Sequence, residues 1–184
     1  SHKIRVKKII IQKGFFVFKG LMTAAAAVIL DQATKAVVFG YLADTQPVVA
    51  VTPFFNLVSA WNTGVSFSMF NNLGGDGVYI LSAFSLLVVG FLLYWLKDEE
   101  ATLMQVSLGL VIGGAVGNVI DRLRLGAVFD FLDVHCGGYH WPAFNLADSF
   151  ICIGAVMIVC DGVFLNRRKN AAAEKKNGTD KGEK

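Results

Sequence analysis

The distribution of hydrophobic positions along the chain is dominated by long runs without a charge. Residues 78–96 and 101–120 are such runs, of nineteen and twenty residues. An α-helix of either length extends about 30 Å, which matches the hydrocarbon thickness of a bilayer. Two further runs are apolar apart from a few ionisable positions. The pattern therefore predicts an all-α membrane domain whose four spanning helices lie at about 14–38, 78–96, 101–121 and 145–165.

Composition agrees with a membrane protein. Hydrophobic residues make up 54% of the 184 positions and charged residues only 17%, too few to cover the surface of a soluble domain of this size. The three cysteines, Cys136, Cys152 and Cys160, form neither a CxxC pair nor a metal-ligand spacing, so they indicate no redox function. No nucleic-acid partner is predicted.

The basic residues predict the orientation of the spans. Fourteen of the seventeen lie before or at the start of the first span, in the turn at 97–100, or after the last span, which leaves Lys35, Arg122 and Arg124 on the other side. The positive-inside rule places the basic side in the cytoplasm, so both termini are expected there. The predicted organisation is a basic cytoplasmic segment at 1–13, a membrane domain at 14–166, a disordered basic cytoplasmic tail at 167–184, and outer loops at about 39–77 and 122–144.

The first outer loop predicts β-structure. It contains residues 48–51 and 54–61, then the turn Asn62-Thr63-Gly64, then residues 65–69, which alternate apolar and polar side chains. We expect a small β-hairpin or sheet element on the outer face of the membrane. The alternative is an irregular loop whose Phe and Trp side chains lie among the lipid headgroups.

Three aspartates lie at the outer ends of different spans: Asp31 in the first, Asp121 in the third and Asp148 in the fourth. Ionisable groups within a span are costly and usually face a bundle interior or a wet cavity. Structural interpretations stay open for the first two of them. Asp31 can pair with Lys35 at i, i+4, and Asp121 can form an interfacial ion pair with Arg122.

The third aspartate has a capping interpretation. Asn145 and Asp148 are three residues apart at the start of the fourth span, which is the spacing of a helix N-cap and its N3 acid. Capping and chemistry are compatible at this position. A metal site is also conceivable at Asp133, His135 and His140, but these lie in a glycine-containing loop without an HExxH motif. We therefore predict no metal and no cofactor.

Five sequence motifs stand in a fixed order along the chain. They are Asp31-Gln-x-x-Lys35, Asn62-x-Gly64-x-x-Phe67, Gly113-Gly-x-x-Gly-Asn118-x-x-Asp121-Arg122, Gly126-x-Val128-x-Asp130-Phe131 and Phe144-Asn145-x-Ala147-Asp148. Together they resemble a known family, the bacterial lipoprotein signal peptidases (signal peptidase II). The likeness covers about residues 20–165.

This resemblance implies an aspartyl membrane protease of the bacterial cytoplasmic (inner) membrane, active near the outer, periplasmic face. The implied substrate is a prolipoprotein whose cysteine carries a diacylglyceryl group, cut just before that cysteine. Membrane lipid is the other implied partner, and we expect a monomer. Motif by motif, the resemblance implies catalytic roles for Asp130 and Asp148, site-lining or bracing roles for Asn62, Asn118, Arg122 and Asn145, and structural support from Asp31, Lys35, Gly64, Asp121 and Ala147.

Paired carboxylates suit peptide hydrolysis without a cofactor. Two adjacent carboxylates share one proton over a wide pH range, because both cannot ionise comfortably. The ionised member can then take a proton from water while the protonated member donates one. Two other classes remain as alternatives: a small proton-coupled transporter or channel that uses the same acids, and a metal-dependent lipid phosphatase or transferase.

Overall fold

The computed structural model describes the backbone of residues 2–43, 46–64 and 76–179, and the side chains of residues 17–43, 46–64 and 77–163. The elements in chain order are α1 (His2–Ala43), β1 (Val48–Thr52), β2 (Phe55–Asn62), α2 (Asp76–Leu96), α3 (Thr102–Leu125), β3 (Val128–Cys136), β4 (Tyr139–His140) and α4 (Leu146–Thr179).

Each of the four helices contains a stretch that is long and apolar enough to cross a membrane. The number of apolar helices is therefore confirmed. The four stretches are Val17–Ala43, Gly77–Leu96, Thr102–Leu125 and Leu146–Val163.

The third helix continues past the predicted end at residue 121, and its last turn includes Arg122 and Arg124. Cationic side chains are favourable at the negative end of the helix dipole. The helix ends at Gly126, which has a φ of 74° and donates its N–H to the Arg122 carbonyl oxygen. Glycine adopts this left-handed conformation without strain, so it is a common helix terminator.

The two terminal helices extend beyond the predicted spans. α1 begins at His2, and α4 continues to Thr179, so the structure has helix over most of the segment 167–184, where the sequence predicts disorder. Residues 171–176 are Ala, Glu and Lys, all strong helix formers, which explains the difference. Residues 180–184 lie outside the described part of the chain. The division into a membrane domain and cytoplasmic flanks stays a prediction.

α3 is the central helix and packs against α1, α2 and α4. Leu96, Leu108 and Ile112 belong to the apolar core that it shares with its neighbours. Glycine allows a close approach to α1, because a Cβ added to Gly113 would lie 2.6 Å from the carbonyl oxygen of Ala24. The position of α3 is thus fixed from several sides, and so is the position of the polar side chains at its end.

The four strands form one antiparallel sheet in the order β1-β2-β3-β4. A sheet element from the first loop is confirmed, but its turn lies at residues 53–54, between β1 and β2, and the predicted alternating stretch 65–69 lies outside the described residues. β3 and β4 come from the second loop, for which no strand is predicted. β2 and β3 pair with Asn62 opposite Val128.

Aromatic rings attach the sheet to the end of α1. Phe129 of β3 is 2% exposed, and its ring centroid lies 5.6 Å from that of Phe39 on α1 and 5.3 Å from that of Trp61 on β2. Leu42 and Phe131 belong to the same cluster. The C-terminal ends of α1 and α3 therefore meet the sheet, and α4 begins beside it.

Candidate active site

Polar side chains from four elements converge at the sheet end of the helix bundle. Asn62 ends β2, Asp130 lies on β3, Asn118 lies on α3 and Asp148 lies in the first turn of α4. Asn145 immediately precedes α4. Hydrogen bonds link these five residues into one connected group. The group contains Asp130 and Asp148, the two carboxylates for which the sequence motifs imply catalytic roles.

Asp130 is buried and held from two sides. Asp130 is only 2% exposed. Asn145 donates from Nδ2 to Oδ1 at 2.6 Å, and Asn62 donates from Nδ2 to Oδ2 at 3.0 Å. Both carboxylate oxygens therefore have a fixed donor, which sets the orientation of the carboxyl plane.

Asp148 takes part in a reciprocal cap at the start of α4. Its backbone N–H donates to Oδ1 of Asn145 at 2.9 Å, and the Asn145 backbone N–H donates to Oδ2 of Asp148 at 3.2 Å. The predicted N-cap and N3 acid are thus confirmed as a capping arrangement. The other oxygen, Oδ1, accepts from Nδ2 of Asn118 at 2.8 Å.

Asn145 contacts both carboxylates and is the residue that joins them. Its side-chain amide donates to Asp130 and, at 3.2 Å, to Oδ1 of Asn118, while its oxygen accepts from Asp148. Both amide protons and the amide oxygen are therefore used, and Asn145 is fully buried. A single residue thus fixes the position of Asp130 relative to Asp148.

The electrostatics of Asp130 differ from those of an ordinary aspartate. Burial is the main cause that raises the pKa of Asp130 from 3.8 to about 6, and the negative charge of Asp148 adds to the increase. The hydrogen bonds donated by Asn62 and Asn145 act in the opposite direction. One carboxyl of the pair therefore retains a proton at mildly acidic pH, where an isolated aspartate would be fully ionised.

Arg122 supplies positive charge beside the pair. Its guanidinium interacts electrostatically with Asp148, Asp130 and Asp121. Its Nε is buried and has no hydrogen-bond partner among the described residues. The ion pair with Asp121 that the sequence suggests is not among the salt bridges of the described residues, because Asp121 binds Lys35 instead. Arg122 thus retains a donor near the two carboxylates.

A buried ionic cluster lies directly behind the site. The Lys35 ammonium contacts Oδ2 of Asp31 at 2.9 Å, Oδ2 of Asp121 at 2.8 Å and Oδ1 of Asn118 at 3.2 Å. The predicted i, i+4 pair of Asp31 and Lys35 is confirmed. All three ammonium protons have an acceptor, and one acceptor is the asparagine that binds Asp148.

The two carboxylates of this cluster also hold backbone groups next to the catalytic candidates. Asp31 accepts the N–H of Ala147 at 2.9 Å, and Asp121 accepts the N–H of Phe129 at 3.3 Å. Ala147 precedes Asp148, and Phe129 precedes Asp130. The cluster therefore connects α1 and α3 to the start of α4 and to β3.

Gly64 orients Asn62 at the end of β2. Its N–H donates to Oδ1 of Asn62 at 2.9 Å, which leaves Nδ2 of Asn62 directed at Asp130. Gly64 has a φ of 80°, a conformation that favours glycine. An added Cβ would also collide with Leu81. The Asn-x-Gly turn thus orients the Asn62 side chain so that its Nδ2 donates to Asp130.

The histidines considered as metal ligands belong to a separate polar cluster farther along β3. Nδ1 of His140 lies 2.9 Å from Asp133, to which Asn56 also donates at 2.8 Å. The ring of His140 stacks on that of His135 at 4.8 Å. Over the described residues, no group of three or more His, Cys, Asp or Glu side chains could hold a metal ion.

The Asp133 cluster makes stability depend on pH. Burial of Asp133 raises its pKa, but the hydrogen bonds to His140 and Asn56 outweigh burial and leave the pKa below 3.8. A carboxyl whose pKa is lowered by folding contributes stability above its unfolded value and loses it as the pH falls through the folded value. We therefore expect Asp133→Asn to lower stability by about 2 kcal/mol at neutral pH.

The stability difference between the parent chain and Asp133→Asn should depend on pH. The two proteins should become equally stable as the pH falls through the folded pKa of Asp133, which lies below 3.8, because Asp133 is then protonated in the parent chain as well. Thermal unfolding of both proteins in detergent at several pH values measures this difference in stability. A difference that stays constant down to the lowest pH would contradict the role assigned to the charge.

Gln32 lies within the first motif, but the sequence alone predicts no role for it. Its Nε2 donates to Oδ1 of Asp121 at 2.8 Å, and also to Asp31 and to the carbonyl oxygen of Gly117. The signal available in the sequence was a polar residue inside an otherwise apolar span, next to an aspartate. Gln32 thus belongs to the supporting cluster.

The fold and the site define a class of protein. It is a multi-pass membrane protein in which two carboxylates at the sheet end of the helices are hydrogen-bonded to the same asparagine. The family described as Signal peptidase (SPase) II matches residues 23–164. The chain is 45% identical over 152 residues to a lipoprotein signal peptidase of Aeromonas hydrophila subsp. hydrophila, covering 82% of this chain and 91% of that one. A lipoprotein signal peptidase of Methylobacterium sp. (strain 4-46) is 42% identical over 155 residues, covering 83% and 93%.

Solved structures of bacterial membrane enzymes share the fold. One of a bacterial membrane enzyme superposes with a TM-score of 0.68 at 30% sequence identity and covers 79% of this chain and 93% of that chain. Another superposes with a TM-score of 0.67 at 31% identity, covering 84% and 92%. The chain belongs to the signal peptidase II family, as its motifs suggested.

Proposed function

We propose that this protein is an aspartyl endopeptidase that removes the signal peptide from diacylglyceryl-modified bacterial prolipoproteins, cutting before the lipidated cysteine. The observation that carries this proposal is the attachment of Asp130 and Asp148 to the same residue, Asn145. The relatives named above are lipoprotein signal peptidases, which supplies the substrate class.

The two carboxylates take different roles in the proposed reaction. Asp148 acts as the ionised member, because the N-terminus of α4 and the donors Asn118 and Asn145 favour a negative charge there. It removes a proton from a water molecule, whose oxygen attacks the scissile carbonyl carbon. Asp130 donates its proton to the departing amide nitrogen when the carbon–nitrogen bond breaks.

The polar groups around the pair suit the charge that develops during attack. The carbonyl oxygen gains negative charge as the tetrahedral intermediate forms, and a fixed cationic donor lowers the barrier. Nε of Arg122 has no hydrogen-bond partner in the part of the chain that the structure describes, and the guanidinium interacts electrostatically with both carboxylates. We assign it to this oxygen, while Asn62 keeps Asp130 in position.

The charge distribution supports a position of the site at the outer side of the membrane. The sheet end carries Arg122 and Arg124, whereas most basic residues flank the opposite ends of the helices. We therefore place the sheet and the site at the outer face of the cytoplasmic membrane. A signal peptide that crosses the bilayer as a helix presents its cut site there, with its acyl chains still in lipid. We also propose that the protein acts as a monomer.

The proposed reaction predicts a specific pH profile. Since Asp130 must carry a proton and has a pKa of about 6, cleavage should decline above that pH and approach about a tenfold loss per pH unit. Asn62→Leu removes a hydrogen bond that lowers this pKa, so its decline should begin at a higher pH. Initial rates of peptide release at a series of pH values measure both. A flat profile through the neutral and alkaline range would contradict the assignment of Asp130.

The function itself is tested with purified protein and a diacylglyceryl-modified prolipoprotein. Mass spectrometry should show loss of the signal peptide and a new N-terminal lipidated cysteine. A chelator should leave the rate unchanged, and the unmodified precursor should be cut far more slowly. Cleavage that stops with the chelator would favour a metal-dependent enzyme, and absence of cleavage under all conditions would refute the proposal.

A further inference from the structure

A cavity lies outside the carboxylate site. It has a volume of about 200 Å³ and lies between the C-terminal ends of α1 and α3 and the β2–β3 pair. Phe39, Trp61, Leu125 and Phe129 form its apolar walls. Neither catalytic candidate is among its lining residues, so the cavity is not part of the site described above.

Some polar groups of this cavity are bound by other side chains, and others are available to a ligand. Lys35 and Asp121 at its floor are bound to each other, so neither charge is available to a ligand. Arg124, in contrast, is exposed, and no ion pair or hydrogen bond of its side chain is found among the described residues. Gln32 uses its Nε2 in three hydrogen bonds, whereas its Oε1 accepts none among the described residues. Among the described residues, the cavity therefore offers one free cation, Arg124, and one free acceptor, Oε1 of Gln32.

The apolar wall of the cavity is partly exposed. Phe39, Trp61 and Leu125 are each about half exposed. Val37 on α1 and Leu123 on α3 are also exposed, which continues the apolar wall onto the outer surface of both helices. At the ends of membrane-spanning helices this surface lies at the level of the lipid headgroups. A ligand that enters from this side carries an apolar chain and a polar head.

We propose that this cavity binds one anionic phospholipid of the surrounding bilayer. Its phosphate pairs with Arg124, a hydroxyl of its headgroup donates to Oε1 of Gln32, and an acyl chain lies along Phe39 and Leu125. A headgroup with an ammonium fits less well, because the one carboxylate of the lining, Asp121, already binds Lys35 and Gln32. This proposal depends on membrane insertion and not on the proposed peptidase activity.

Occupation of the cavity should stabilise the fold near the site. Trp61 and Phe129 form part of its wall, and they directly precede Asn62 and Asp130 in the chain. A bound lipid would therefore hold β2 and β3 against α1 and α3. We expect a higher unfolding temperature when the lipid is present.

Native mass spectrometry of the full chain released from lipid nanodiscs tests the proposal. Nanodiscs of phosphatidylcholine alone are compared with nanodiscs that also contain phosphatidylglycerol. The parent chain should retain one phosphatidylglycerol, and Arg124→Gln should lower the retained fraction about five-fold. Lys97→Gln is the control. It also removes one positive charge, but Lys97 follows the last residue of α2, contacts Tyr94 and does not line the cavity. This variant should leave lipid retention unchanged.

A second variant tests the cavity without a change of charge. Ala36 lines the cavity and is exposed on α1, so Ala36→Phe fills the space without disturbing the core and should also lower retention. Equal retention of the two lipids, or retention unaffected by both variants, would overturn the proposal. If the same spectra show the variants reducing a dimer peak and not a lipid adduct, a second copy of the chain occupies the surface and the proposal is wrong.

Discussion

Asparagine in place of Asp130 or of Asp148 should lower the rate of signal-peptide release by about three to four orders of magnitude, the upper part of the range for acid–base catalysis. Asp130→Asn removes the proton donor for the leaving amine, and Asp148→Asn removes the base that activates water. Each substitution keeps the size of the side chain. Because the two groups act in one step, the double variant should be little slower than either single variant.

Controls separate this loss from misfolding. Circular dichroism and gel filtration in detergent show whether each variant keeps its helices and its size. Asp161→Asn changes a carboxylate on the same helix as Asp148 but far from the site, and it should cleave at the parent rate. Full activity in either Asp130→Asn or Asp148→Asn would contradict the proposed mechanism.

The second large effect is expected at the ionic cluster. Lys35→Met keeps most of the side-chain volume but leaves Asp31 and Asp121, which are 0% and 3% exposed, without their shared cation. Removal of one partner from a buried ionic group costs about 3–5 kcal/mol. Unfolding of the variant, followed by circular dichroism on heating in detergent, should therefore occur at a markedly lower temperature.

Neutralising the whole cluster should recover part of this loss. In the triple variant with Asp31→Asn and Asp121→Asn added to Lys35→Met, no unpaired charge remains, so the interactions are not additive. Lys19→Met serves as the control, since Lys19 donates to Thr102 at an exposed position. An unfolding temperature that Lys35→Met leaves unchanged would show that the cluster does not hold the helices together.

The helices could be predicted from sequence because lipid imposes a simple requirement on each span. Runs such as 78–96 must be long and uncharged, and these properties are local. The supporting acids could be recognised for the same reason, since Asp31 and Asp121 stand out within apolar segments. The capping arrangement of Asn145 and Asp148 also depends only on residues three apart.

The sheet and the precise contacts of the site required the structure. β3 pairs with β2 across more than sixty intervening residues, so nothing local specifies that Asn62 lies opposite Val128. The same pairing brings Asn62 to Asp130. Preference of Asp121 for Lys35 over the adjacent Arg122 also depends on how α1 packs on α3. Long-range packing thus decides which polar neighbours meet.

The central claim is that Asp130 and Asp148 act together on one water molecule at the scissile bond. The most direct test is an experimental structure with a lipidated peptide in which a tetrahedral hydroxyl carbon replaces the scissile carbonyl. We predict that the hydroxyl oxygen lies within about 3.2 Å of a carboxylate oxygen from each aspartate. A hydroxyl bound to only one of them, or bound elsewhere, would contradict the claim.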